Sequence, residues 1–145
     1  MEKRVIARVA IEKSTLRFDR LFDYIIPEEF MDRVKPGCRV LVPFGRSNRK
    51  MQALVFELAG SSEYGRDCKT VFSLLDQEPL IDEEGFQIIN YLKQNTFCTY
   101  YDAVRVLLPV GLNVEIVSTY HLSKRIDEIE LKEFTLPEQH VISYL

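Results

Sequence analysis

The chain has 145 residues, 46% of them apolar and 28% charged, with a formal net charge of −3. That is enough for one ordinary domain, or for one small domain and part of another, and no apolar run approaches a membrane span. The N-terminus Met1-Glu2-Lys3-Arg4-Val5 lacks the apolar stretch of a signal peptide, and Cys38, Cys68 and Cys98 fit neither a disulfide framework nor a CxxC zinc pattern, so buried or half-buried thiols in a reducing cytoplasm are expected.

In chain order, Val5 to Ile11 reads as a first strand with Val5, Ala7, Val9 and Ile11 on one face. Leu21 to Ile26 is a second, closed by Pro27. Glu28 to Lys35 has room for a short helical turn before the turn signal Pro36-Gly37. Cys38 to Pro43 is a third strand. Met51 to Leu58 is a fourth, apolar enough to be buried on both faces. A polar loop spans residues 59–67, and Thr70 to Leu75 makes a fifth strand. The pattern then turns helical. Asp82 caps a helix with Phe86, Ile89, Tyr91 and Leu92 along one broad side, and Thr99 with Asp102 forms a capping box opening a second helix that ends at Pro109. The expected fold class is α+β: a small twisted β-barrel or OB-like sheet of five to six strands followed by two helices.

Pro109-Val110-Gly111 is the expected boundary, giving a first domain over residues 1–111 and a second over residues 112–145. Beyond it, Val114 to Leu122 reads as a strand, and Thr135-Leu136-Pro137-Glu138 as a capping box launching a helix. That helix is too short to bury a face alone, so the chain is expected to be cut from a longer protein, inside its second domain.

Charge is unevenly spread. Residues 1–52 carry 12 Lys+Arg against 7 Asp+Glu and residues 53–145 carry 7 against 15, so the two parts stand at +5 and −8. A local positive field steers a polyanion even when the sum is negative. The basic part contains Gly37-Cys38-Arg39-Val40-Leu41-Val42-Pro43-Phe44-Gly45, followed by Arg46, Arg49 and Lys50. This stretch delivers a ring, a glycine and cations to one place: the ring stacks on a base, the glycine admits close backbone approach, and the cations favour phosphate. On this stretch alone the plainer reading, a turn with a buried Phe and a solvated basic loop, stands ahead of the binding one. Asp23, between Phe22 and Tyr24 in an apolar strand, either points to solvent by alternation or serves as a fixed acceptor at a pocket rim, suited to a donor such as a sugar hydroxyl.

No catalytic set emerges. The chain lacks a GxxxxGKS loop and a GxSxG elbow, and His121 and His140, its two histidines, have no acid or thiol at ligand spacing and read as surface or packing residues.

Taken in order, several of these pieces resemble the N-terminal region of the PriA family of primosomal replication-restart helicases (primosomal protein N′). They are Phe22-Asp23-Tyr24 with Pro27, the Gly37 to Gly45 stretch, Lys69 seven residues before Asp76, Pro79, Tyr100-Tyr101 and Leu107-Leu108-Pro109. The resemblance covers residues 5–110, and residues 112–145 are similar to the start of that family's winged-helix domain. It implies a module that binds the 3′ end of a nascent leading strand at a stalled fork with little regard to base. Carried over by position, Phe22, Asp23, Gly45 and Lys69 form the pocket for the terminal nucleotide: Asp23 accepts from the 3′-OH, Phe22 packs on base or sugar, Gly45 gives backbone access, and Lys69 supplies charge near phosphate. With the motif residues beside them, the expected nucleic-acid-binding set is Phe22, Asp23, Tyr24, Phe44, Gly45, Arg46 and Lys69. Gln52 departs from the family, which usually has a glycine there.

The resemblance further implies that the full-length protein is an ATP-dependent 3′-to-5′ DNA helicase using ATP, Mg and Zn. The corresponding motifs are absent from these 145 residues, so no cofactor and no catalysis are expected of them. Implied partners are DNA with a free 3′-OH end, forked DNA, single-stranded DNA-binding protein and primosome proteins, with no membrane. Two other classes stand beside this reading: a protein–protein β-barrel adaptor, in which Phe44 and the basic loop meet an acidic partner, and an enzyme domain.

Overall fold

The computed structural model describes residues 5–60 and 67–112. The chain divides into two compact units, Met1–Val114 and Glu115–Leu145, and all described residues belong to the first. The expected winged-helix start, both histidines and the second capping box lie outside them.

Five strands form an antiparallel sheet in the order β2-β1-β4-β3-β5: β1 (Val5–Ile11), β2 (Phe22–Ile26), β3 (Arg39–Phe44), β4 (Arg49–Ala59) and β5 (Ser73–Leu74). Two helices follow, α1 (Glu83–Asn95) and α2 (Tyr100–Leu107). The α+β class is as the sequence predicts. The expected barrel is instead an open sheet: β2 and β5 are its edges, joined through a single parallel bridge between Ile25 and Thr70 just before β5. The fifth strand is correspondingly shorter than predicted, because residues 69–71 bond to β2 before the chain crosses to β3. Ile25 N donates to Lys69 O (2.8 Å) and Val71 N to Ile25 O (2.9 Å), whereas Phe72 N already donates to Leu41 O on β3 (2.8 Å).

Strand alternation sorts side chains into two cores. Ala7, Val9, Ile11, Tyr24, Ile26, Val40, Val42, Ala53, Val55 and Val71 form one core on one face of the sheet. Leu54, on the other face of β4, joins Ile81, Ile89, Tyr101, Ala103 and Val104 under the helices. β4 is therefore buried on both faces in its middle, as its apolar run predicts. The helix start signals hold: Asp82 accepts from Gly85 N, and Thr99 and Asp102 make the reciprocal capping box. Ile89 is fully buried, worth about 1.5–3 kcal/mol. Tyr91, expected on the same side, is 65% exposed, because two positions past Ile89 is about 200° around the helix.

Gln52 is buried under α2 and its amide donates to Tyr101 Oη (2.5 Å), so it ties sheet to helix. None of the three cysteines is in a disulfide among the described residues: Cys38 is buried, and Cys68 and Cys98 are half-buried. Burial pushes the Cys38 thiol up from its ordinary pKa.

Candidate nucleic-acid interface

The β3–β4 hairpin turns through residues 45–48, with Phe44 paired to Arg49. Gly45 has φ +71 and Asn48 φ +51, left-handed conformations that the turn reserves for a glycine and an asparagine. A Cβ on Gly45 would meet no atom within 4 Å, so conformation and not crowding requires the glycine, and its backbone lies open to a ligand. Residues 45–50 are all exposed, which lifts Arg46, Arg49 and Lys50 into solvent.

β2 brings Phe22 against this turn. Phe22 and Phe44 meet edge to face, with centroids 5.3 Å apart and planes at 81°, and the Arg20 guanidinium lies 4.9 Å from the Phe22 centroid. Tyr24 is buried and donates from its hydroxyl to Pro43 O (3.0 Å), pinning the end of β3 to β2 across the open side of the sheet. Burial pushes the Tyr24 pKa up to about 12. From the segment before β5, Lys69 Nζ donates to Gly45 O (2.6 Å), so an ammonium clamps the glycine turn from the other side.

These groups enclose a groove of about 590 Å³ lined by Phe22, Tyr24, Phe44, Gly45, Arg46, Asn48 and Lys69. Six of the seven residues expected from the sequence are among them. The seventh, Asp23, lines an adjoining hollow of about 310 Å³ that shares Phe22, Tyr24 and Lys69 with the groove and adds Arg20, Asp67 and Cys68. Asp23 and Lys69 thus stand at one hollow, although strand alternation sends Phe22 and Asp23 opposite ways.

Asp23 is more constrained than either reading of the sequence foresaw. Its side chain is 6% exposed and ion-paired to Arg8, with Nε to Oδ1 at 3.6 Å. The pairing follows from register: Arg8 sits opposite Asp23 on β2 and opposite Glu57 on β4, whose carboxylate it also meets at 3.3 Å. A register shift at Arg8/Val9 marks a bulge there. Arg8, Arg20, Asn48, Asp67 and Cys68 were not singled out as site residues. Only Asn48 carried a local signal, an amide side chain in a turn beside a glycine.

Comparison with known proteins identifies the family. The PriA 3′ DNA-binding domain (3′BD) family matches residues 8–109, well over half of the chain, from within β1 through β2 to β5, the groove and both helices. The chain belongs to the PriA 3′ DNA-binding domain family. The replication restart protein PriA of Bacillus subtilis (strain 168) is 36% identical over 110 residues, covering 75% of this chain and 13% of that protein. The probable replication restart protein PriA of Mycobacterium tuberculosis (strain CDC 1551 / Oshkosh) is 27% identical over 96 residues, covering 66% of this chain and 14% of its own length. The chain therefore spans roughly an eighth to a seventh of the curated PriA relatives it matches.

Proposed function

We propose that this domain holds the 3′-terminal nucleotide of a DNA strand, with little regard to base, as the DNA-binding module of a replication-restart helicase. Membership of a 3′ DNA-binding domain family and relatives named for replication restart support a DNA-binding role in that process. The observation that carries the finer reading is the convergence of Phe22, Gly45 and Lys69 on one groove, with Asp23 at the hollow that opens from it.

Each group has a chemical role there. The rings of Phe22 and Phe44 give a stacking surface that accepts any base, since every base has an apolar face. The Lys69 ammonium spends one N–H on Gly45 and directs its charge at phosphate. Asp23, held by Arg8, presents carboxylate oxygens in a fixed place to accept from a 3′-hydroxyl. A strand continuing beyond that point would bring a phosphate against the carboxylate and lose the hydroxyl contact, which selects for an end. The whole protein would be an ATP-dependent 3′-to-5′ helicase of the cytoplasm. Its ATP, magnesium and zinc sites would lie beyond these residues, and it would work at forks with single-stranded DNA-binding protein and primosome proteins.

The test is fluorescence anisotropy on a labelled primer–template ending in a 3′-hydroxyl against the same DNA ending in a 3′-phosphate. The hydroxyl form should bind roughly tenfold more tightly, the size of one hydrogen bond to a charged group. Asp23→Ala should erase the difference while the fold persists, because Arg8 keeps Glu57. Equal affinity for both ends would refute end recognition.

A further inference from the structure

Of the aromatic–cation pairs outside the groove, one stands beside the β3–β4 hairpin. Phe72 is 54% exposed, and Lys50 Nζ stands 3.5 Å from its ring centroid. The backbone that carries the ring is fixed on both sides: Val71 N donates to Ile25 O and Phe72 N to Leu41 O, with Val71 buried and Phe72 exposed. Lys50 pairs with Pro43 in the hairpin, whereas Arg49 pairs with Phe44. By alternation Lys50 and Phe72 lie on the opposite face of the hairpin from the ring that lines the groove.

We propose that Phe72 and Lys50 form a second contact for the DNA strand, receiving nucleotides upstream of the terminal one after the strand has passed over the hairpin tip. The proposal rests on the DNA-binding reading of the groove. Two features fix the occupant as a polynucleotide. The first is charge: Arg46, Arg49 and Lys50 line the tip between groove and platform, and Arg46 itself lines the groove. The second is continuity. Lys69 at the groove and Phe72 at the platform are three residues apart on one segment, so at most about 11 Å separates their Cα atoms, and one strand can reach both. The ammonium takes a phosphodiester and the exposed part of the ring packs on the attached base or sugar, as on other single-strand platforms.

Binding of single-stranded oligonucleotides with a 3′-hydroxyl tests this, comparing a dinucleotide with a decanucleotide. Phe72→Ala and Lys50→Ala should each weaken the decanucleotide roughly fivefold and leave the dinucleotide unchanged. Lys50→Ala should also lower the salt slope by about one. Phe72→Tyr, which keeps the ring, should bind as the parent does, and thermal melts confirm that every variant is folded. If the parent shows no preference for a hydroxyl end but Phe72→Ala still loses decanucleotide affinity, the terminal pocket fails and the platform stands. Parent-like decanucleotide binding by both alanine variants would overturn the platform.

Discussion

Removing the Asp76 carboxylate should cost this domain a large part of its stability. Asp76 accepts from Arg39 Nε (2.9 Å) and Nη2 (2.7 Å) and from the Arg39 backbone N (2.8 Å), and the two side chains are only 5% and 8% exposed. The third guanidinium nitrogen, Nη1, donates to Leu112 O, so the arginine cannot swing out without breaking a second tie. Arginine keeps its proton in proteins, so once the carboxylate is removed deprotonation offers no relief. Asp76→Ala therefore strands a buried cation, at about 3–5 kcal/mol. Small domains hold only about 5–15 kcal/mol in total. At about 4–8 °C per kcal/mol, even the low end lowers Tm by about 12–24 °C. Thermal unfolding followed by far-UV circular dichroism reads this directly. The double substitution Arg39→Met with Asp76→Leu should regain most of the loss, because an apolar pair needs no compensation. A Tm drop below about 5 °C for Asp76→Ala would refute the assignment of this pair as a buried, mutually dependent anchor.

Lys69, at the other end of the same segment, should behave oppositely. Lys69→Met should change stability by no more than about 0.5 kcal/mol, since the side chain is exposed, while DNA affinity falls and its salt dependence becomes shallower by about one. Tyr24 predicts an alkaline limit. Its pKa near 12 when folded lies above about 10 when unfolded, so its contribution is intact below pH 10 and is lost as pH rises toward 12, up to about 3 kcal/mol. In denaturant titrations across that window Tyr24→Phe should lose correspondingly less, with a residual slope from Tyr101, whose pKa burial also raises. Identical slopes for parent and variant would mean that Tyr24 does not titrate with unfolding.

What the sequence made legible was what local chemistry encodes. Alternation located β1 to β4, and the apolar run of β4 correctly announced burial on both faces. Asp82 and the Thr99–Asp102 box marked helix starts because capping needs only residues a few positions apart. Long-range partners were not legible. Arg8 holds Asp23 through β1–β2 register, and Gln52 meets Tyr101 across a separation of 49 residues. The short β5 and the open sheet have a similar cause: whether residues 69–71 hydrogen-bond to β2 or to β3 depends on how the edges approach, not on those residues' own pattern. At the site, the ring, glycine and lysine were readable as types, and the fold explains them. Gly45 answers a positive φ, Lys69 clamps that turn, and Tyr24 fastens the strand that carries it.

The groove itself is tested most directly by amide chemical shifts of the isotope-labelled chain titrated with a short 3′-hydroxyl oligonucleotide. The account predicts that the largest changes map to Phe22, Asp23, Gly45 and Lys69, and that a 3′-phosphate end diminishes the change at Asp23 before the others. Shifts confined to the solvent-facing side of α1, around Tyr91 and Phe97, with those four amides unmoved, would contradict it.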